Sequence, residues 1–376
     1  MKIYYLTTAQ DSDSFKELLS KWSISPNLSN QNFHNKLIRA IAISHDVNVI
    51  SVRPINKHFS QKSLQNDVKI ENNVVWNYIK VSSSKLDKLL CVSNRIMGAC
   101  KAITNNDVLF VDTMNLTLLK QANKIKEKTG CKIIGVCTDN PHNISFTSNS
   151  YKEKILNLGR KADSFIALTP KINELYNLNN KPFILIDGIT ESNIKHNQSI
   201  HIDTDYIYFG GSLMRKYGVY NLIEAFESLK RDDLKLVICG HHEENDLKET
   251  IKGKNIEYLG ALPYEEICEL ENNAICAINP RPIDPLIDEY SIPSKTLEYM
   301  ANGTIAITVK NDLLKDRYSE AILWADSGDA NDLEEAIKKA LNLSKKEREL
   351  FIKNSLETVN KFTSFEAINK EVNKLL

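Results

Sequence analysis

A helix that begins with hydrogen-bond donors and carries an acid one turn in can seat an anion at its start. Residues 291–303, SIPSKTLEYMANG, have that pattern. The helix should start at Ser294, just after Pro293, and stop at Gly303. Free amides at Ser294, Lys295 and Thr296, added to the positive end of the helix dipole, suit two linked phosphates. Glu298 offers two acceptor oxygens, enough for both hydroxyls of a ribose. The same residues also fit a plain helix start, with Glu298 offsetting the dipole and Lys295 in solvent. The loop that delivers the helix, residues 279–303, contains four prolines. It should be stiff, so its polar groups are ordered before anything binds.

A second loop with chemical potential is YFGGSLMRKYG, residues 208–218. Gly210 and Gly211 follow a strand-like run and would let backbone approach a ligand closely. Arg215 and Lys216 supply cations nearby. The spacing is neither GxGxxG nor a Walker loop, which excludes those routes to NAD and ATP. An ordinary strand-to-helix turn with a solvated basic pair explains the same residues. His241 and His242 are adjacent after another strand, but no third ligand has metal-binding spacing, so no metal is expected.

These loops need strands to hold them. In the first half, apolar runs rich in β-branched residues occur at 2–7, 47–52, 74–79, 107–112, 131–137, 163–168 and 183–186. In the second half they occur at 206–210, 234–240, 256–260, 274–279, 304–309 and 321–325. Continuous apolar runs fit parallel strands covered on both faces. Helical patterns fill the intervals, including 33–44, 85–104, 115–128, 151–160 and 170–177, and three more close the chain from 330 onward. Such βαβα alternation implies open parallel sheets with right-handed crossovers, whose ligands bind at the carboxyl ends of strands. The expected architecture is two Rossmann-like, doubly wound α/β domains facing across a cleft. At 376 residues the chain is too long for one core. The expected divisions are 1–185, 186–360 and a C-terminal helix, 361–376, that could cross back to the first domain.

Composition narrows the class. The chain is 42% hydrophobic and 26% charged, and no run approaches eighteen apolar residues. No signal-peptide pattern opens it. Seven cysteines lie in apolar runs without a CxxC pair, as buried thiols of a reducing compartment do. The net charge is zero, yet residues 1–185 carry 25 basic and 14 acidic residues, a net +11 that the remainder cancels. A basic half attracts anionic partners such as a membrane surface; opposite charges also help two halves associate. The 85–104 helix is basic and amphipathic, suited to anionic lipid or, more commonly, to packing on a sheet.

Together, the two glycine- and proline-marked loops, LKLVICG, IEYLGAL and PSKTLEYMANGTIAIT resemble the retaining GT-B glycosyltransferases of family 4, the glycosyl transferases group 1. The likeness covers nearly the whole chain and is strongest over 206–309; PSK…EYMA.G is similar to the branch that builds exopolysaccharides and capsules. The family's E-x7-E signature ends at Glu298, which the resemblance makes the ribose ligand. It also implies donor-diphosphate contacts from the amides of Ser294 and Lys295, from the Gly211–Ser212 turn and from Arg215 or Lys216. Three departures stand out. Tyr290 replaces the first Glu of the signature, with Glu289 one residue early. Ser212 replaces the usual arginine, whose charge Arg215, Lys216 or Arg281 would supply. The N-terminal glycine pair is absent.

By the same resemblance, Asp139 and His142 of GVCTDNPHN lie on the sugar and acceptor side as candidate catalytic residues, with Asn115 a weaker candidate. The implied activity is metal-free sugar transfer with retention, from a nucleotide-sugar donor of the UDP type. No cofactor and no nucleic acid is involved. The acceptor would be a glycan, a lipid-linked glycan or a glycoprotein. The implied place is the cytoplasm, with peripheral contact at the inner face of the membrane. A nucleotide-sugar 2-epimerase and a non-catalytic transferase-like partner subunit are the alternatives.

Overall fold

The structure, a computed structural model, describes residues 1–21, 28–53, 68–81, 91–144, 147–191, 200–240, 247–252 and 254–376. In chain order the first part runs β1 (Ile3–Thr7), α1 (Ser12–Lys21), α2 (Leu28–Ile41), β2 (Val47–Val52), β3 (Val68–Glu71), β4 (Val74–Ile79) and α3 (Val92–Ala99). It continues with β5 (Val108–Asp112), α4 (Leu116–Thr129), β6 (Lys132–Cys137), α5 (Asn149–Gly159), β7 (Ser164–Ala167), α6 (Pro170–Tyr176) and β8 (Phe183–Leu185). The second part opens with β9 (Tyr206–Gly210), α7 (Val219–Ser228), β10 (Lys235–Cys239), α8 (Leu247–Thr250), β11 (Ile256–Gly260), α9 (Tyr264–Asn273) and β12 (Ala277–Asn279). Then come α10 (Pro285–Asp288), α11 (Ser294–Ala301), β13 (Ala306–Val309), α12 (Asp312–Tyr318), β14 (Leu323–Ala325), α13 (Ala330–Leu341), α14 (Lys345–Thr363) and α15 (Phe365–Asn373).

Two compact units result: Met1–Ile189 with Phe365–Leu376, and Thr190–Ser364. In the first, the strands form one sheet in the order β3-β4-β2-β1-β5-β6-β7-β8. Every neighbouring pair is parallel except β3 and β4, with Ile3 opposite Val47 and Val108 at the centre. The wholly parallel sheet expected from the sequence is therefore corrected at this edge. β3 gave no apolar run because it alternates: Val68 and Ile70 are exposed, Lys69 and Glu71 half-buried. On one face the core joins Tyr5, Leu37, Ile38, Trp76 and Phe110 to Ile368, Val372 and Leu375. α15 thus packs on α2, where Arg39 also covers the ring of Phe365 at 4.8 Å.

The second sheet is parallel throughout, in the order β11-β10-β9-β12-β13-β14. The period of two divides its core cleanly. Ile207 and Phe209 of β9 pack with α7 and α13, whereas Tyr206 and Tyr208 pack with Leu297, Tyr299 and Met300 of α11. Local signals set the helix ends. Asn115 caps α4 by accepting from the amides of Thr117 and Leu118, and Gly130, at φ 76°, ends it. Asn115 is thus engaged as a cap through its side-chain oxygen. Ser344 and Glu347 form a reciprocal capping box on α14. Of the helix expected over 85–104, α3 covers only the later part; residues 82–90 lie outside the described residues. Among the described residues no helix is long and apolar enough to cross a membrane.

Candidate functional site

In the second sheet β9 leads outward to β10 and β11 on one side and neighbours β12 on the other. The strand order reverses between β9 and β12, the position where open α/β sheets leave a crevice for ligands. Both loops singled out in the sequence emerge there. After β9, the Gly211 amide donates to the Cys239 carbonyl at 3.0 Å, tying the turn to the end of β10. A Cβ on Gly240 would lie 1.8 Å from the Gly211 carbonyl oxygen, and one on Gly218 would lie 2.1 Å from that of Pro280. Backbone is thus packed on backbone across the ends of β10, β9 and β12. That closeness requires glycine, doubly so because φ is +141° at Gly240 and +81° at Gly218.

α11 is seated against the same strand ends. The Asn279 side-chain amide, ending β12, donates to Thr296 Oγ1 at 3.2 Å. Tyr299 bonds the backbone of Gly210, ending β9. The first turn of α11 has no side-chain cap, because Pro293 occupies the N-cap. Thr296 departs from expectation: its amide donates to the Pro293 carbonyl at 3.0 Å, so it is not free for a ligand. The tight turn after a proline consumed it. Among the described residues nothing accepts from the Ser294 and Lys295 amides, and the Ser294 side chain is exposed.

The charged groups around this seat are largely paired. Lys295 Nζ donates to Glu298 Oε2 at 2.9 Å. Burial works to lower the Lys295 ammonium, but the carboxylates of Glu298 and Glu271 outweigh it and hold it well above the usual lysine range. Glu271, buried in α9, accepts from the Asn302 side chain at 2.6 Å. Arg281 Nη2 donates to Asp288 Oδ1 at 2.7 Å. Arg215 stacks on the ring of Tyr220 at 3.8 Å, and Lys216 faces Tyr217 at 5.1 Å. Gly211 is half-buried and Ser212 exposed. Glu289 is exposed and Tyr290 half-buried in the turn after α10.

In the first unit, Asp139 and His142 follow β6, but their side chains are engaged separately. Burial raises the Asp139 carboxyl above its ordinary range, although it accepts from the Asn140 amide at 2.7 Å and from Asn143 Nδ2 at 3.3 Å. The exposed His142 ring lies with Nε2 3.6 Å from Glu153 Oε1 of α5. His241 and His242 lie outside the described residues. Among the described residues no three acids, histidines or cysteines are grouped to hold a metal ion.

A polar cluster at the ends of β1 and β5, where the first sheet reverses its order, escaped the sequence reading. Asp112 ends β5 fully buried, with Oδ2 3.6 Å from His34 Nε2. It also accepts from Asn30 Nδ2 at 3.2 Å and the Met114 amide at 2.9 Å. Burial opposes its ionisation, yet His34 and these donors hold its carboxyl below the ordinary range. The other nitrogen of His34 is 2.6 Å from the Tyr5 hydroxyl. Beside them Gln31 and Asn35 of α2 clamp the backbone of Gln10, whose own buried amide group has no hydrogen-bond partner among the described residues. An acid closing an apolar strand was the one available signal. His34 looked like any polar residue on a helix.

With this geometry in view, the chain can be set beside known proteins. Residues 191–358 match the family model described as glycosyl transferases group 1. No curated protein sequence matches the chain. Among solved structures, sucrose-phosphate synthase from Thermosynechococcus elongatus has a TM-score of 0.70 at 14% identity, over 100% of this chain and 98% of that one. The E. coli trehalose-6-phosphate structure bound with UDP-2-fluoro glucose has a TM-score of 0.67 at 10% identity, over 99% and 98%. Anabaena HepE in complex with UDP and glucose has 0.66 at 11%, over 100% and 99%. These likenesses span both units, and the fold expected from the sequence is the fold found: two Rossmann-like parallel-sheet domains of the GT-B type.

Proposed function

We propose that the chain is a retaining glycosyltransferase that transfers a sugar from a nucleotide diphosphate sugar to a hydroxyl acceptor. The observation that carries this reading is the uncapped start of α11, fastened to the ends of β9 and β12 by Tyr299 and by Asn279–Thr296. The amides of Ser294 and Lys295 and the Lys295 ammonium would take the diphosphate, and Glu298 the ribose. Sugar transfer builds negative charge on the leaving diphosphate and positive charge at the anomeric carbon. Fixed amides and a lysine stabilise the first in the manner of an oxyanion site. Asp139 and His142 would serve the sugar and acceptor side.

UDP is the proposed base. A glycan, lipid-linked or glycoprotein acceptor at the cytoplasmic face of a membrane is the proposed setting. The group 1 family match over 191–358 and the UDP complexes among the similar folds support the choice of base. The test is binding of UDP, GDP, ADP and dTDP sugars by thermal shift, followed by hydrolysis and transfer assays. A ligand at about 100 times its Kd should add roughly 2.7 kcal/mol of stability. Lys295→Ala and Glu298→Ala should each weaken UDP binding in a folded protein. Equal binding by both variants refutes the site, and interconversion of UDP-sugars without acceptor would mark an epimerase.

A further inference from the structure

Two of the cations beside the α11 seat are already matched to carboxylates of the same chain. Lys295 and Glu298 pair at 2.9 Å across one turn of one helix, with side chains 38% and 19% exposed. Arg281 and Asp288 pair at 2.7 Å, at 16% and 20%. A lysine claimed by a neighbour cannot also take a phosphate in its best geometry. The lysine has a flexible stem and three donors, so it can turn to a new partner at small cost. The buried carboxylate of Glu271 also favours the charged ammonium.

We infer that the Lys295–Glu298 pair is a latch that the diphosphate of the nucleotide opens. Phosphate draws Lys295 away, and Glu298, released from it, turns to the ribose hydroxyls. Phosphate recognition and ribose recognition are then one coupled event, and in the empty site Glu298 occupies the charge that phosphate will claim. This inference rests on the donor-site reading above and adds to it a competition inside the site.

The test measures binding of inorganic pyrophosphate and of UDP by calorimetry at low ionic strength, on the intact chain. It compares the parent, Glu298→Gln, Lys295→Met and the double variant, with thermal melts to establish folding. Under the latch, Glu298→Gln binds pyrophosphate about tenfold more tightly than the parent, equivalent to about 1.4 kcal/mol. UDP does not share the gain: its ribose loses the carboxylate, and the nucleotide binds more weakly than to the parent. The gain for pyrophosphate vanishes when Lys295 is already Met, since it acts through that ammonium. Unchanged pyrophosphate affinity in Glu298→Gln overturns the latch. So does a gain that persists beside Lys295→Met, which would be simple long-range repulsion. Failure of the folded parent to bind either probe is a different result: it removes the donor site itself, and the latch with it. Should Glu298→Gln misfold, Glu298→Ala makes the same comparison.

Discussion

The hydroxyl of Tyr299 accepts from the Gly210 amide at 3.2 Å and lies 3.3 Å from the Gly210 carbonyl. A fully buried side chain of α11 is thereby bonded to the last residue of β9. Tyr299→Phe removes the bond while keeping the ring that packs edge-on against Tyr208. It should cost about 1 kcal/mol in urea unfolding. UDP affinity should fall further than stability does, because the first turn of α11 loses its register with the glycine turn. Calorimetry and unfolding on the same preparation separate the two effects.

Gly240 should be the least replaceable glycine of the second unit. At Gly240→Ala the new methyl meets the Gly211 carbonyl oxygen at 1.8 Å, with φ at +141°. The loss should exceed about 3 kcal/mol. Gly98→Ala is the contrast. Nothing lies within 4 Å of its Cβ position, and it belongs to α3. It should be neutral or stabilising by about 0.5 kcal/mol. Melting temperatures of the two variants check this.

Asp112 should link the first unit's stability to acid. Its carboxyl is held below the ordinary range by His34 and by its hydrogen-bond donors, against the opposing effect of burial. A folded value lower than the unfolded one means that the stabilisation is complete above the unfolded value, about 3.9. It is lost as pH falls from there through the folded value. His34→Ala removes the ring nearest the carboxylate and the partner of the Tyr5 hydroxyl, and should cost about 1–3 kcal/mol. Urea titrations of the parent and Asp112→Asn between pH 3 and about pH 7 should show that the variant lacks this acid-dependent component.

Asp139 should behave oppositely. Burial raises its carboxyl, so the folded chain disfavours the charged form. It subtracts stability at neutral pH, and that penalty disappears as pH falls. Asp139→Asn should therefore raise the melting temperature at pH 7 while lowering transfer, the signature of a group retained for activity. A variant that melts higher with full transfer activity would remove Asp139 from the proposed machinery.

α15 completes the core of the first unit. Ile368 and Val372 are buried against α2, and Asn369 and Asn373 bond Ser44 and His45 at 2.9 and 2.7 Å. Ile368→Ala should cost about 2–5 kcal/mol, as other large-to-small core changes do. Protection from hydrogen exchange should fall in α2, with the second unit's strands unaffected.

The sequence alone determined the strands and the crossovers between them. Parallel strands covered on both faces are continuous apolar runs, and each such run in the chain became a strand. The proline loop, the glycine turn and the start of α11 were legible for the same reason: each is written in residues that are neighbours along the chain. β3 was not, because an edge strand with a solvent face has no apolar run. Nor could local spacing show that Pro293 would take the Thr296 amide, or that Lys295 would turn to Glu298 rather than to solvent. The tertiary structure decided which polar groups meet across distant elements: Tyr299 with Gly210, Asn279 with Thr296, and His34 with Asp112. Those pairings come from the order in which strands lie side by side. That order is settled by packing whole sheets, which no stretch of neighbouring residues encodes.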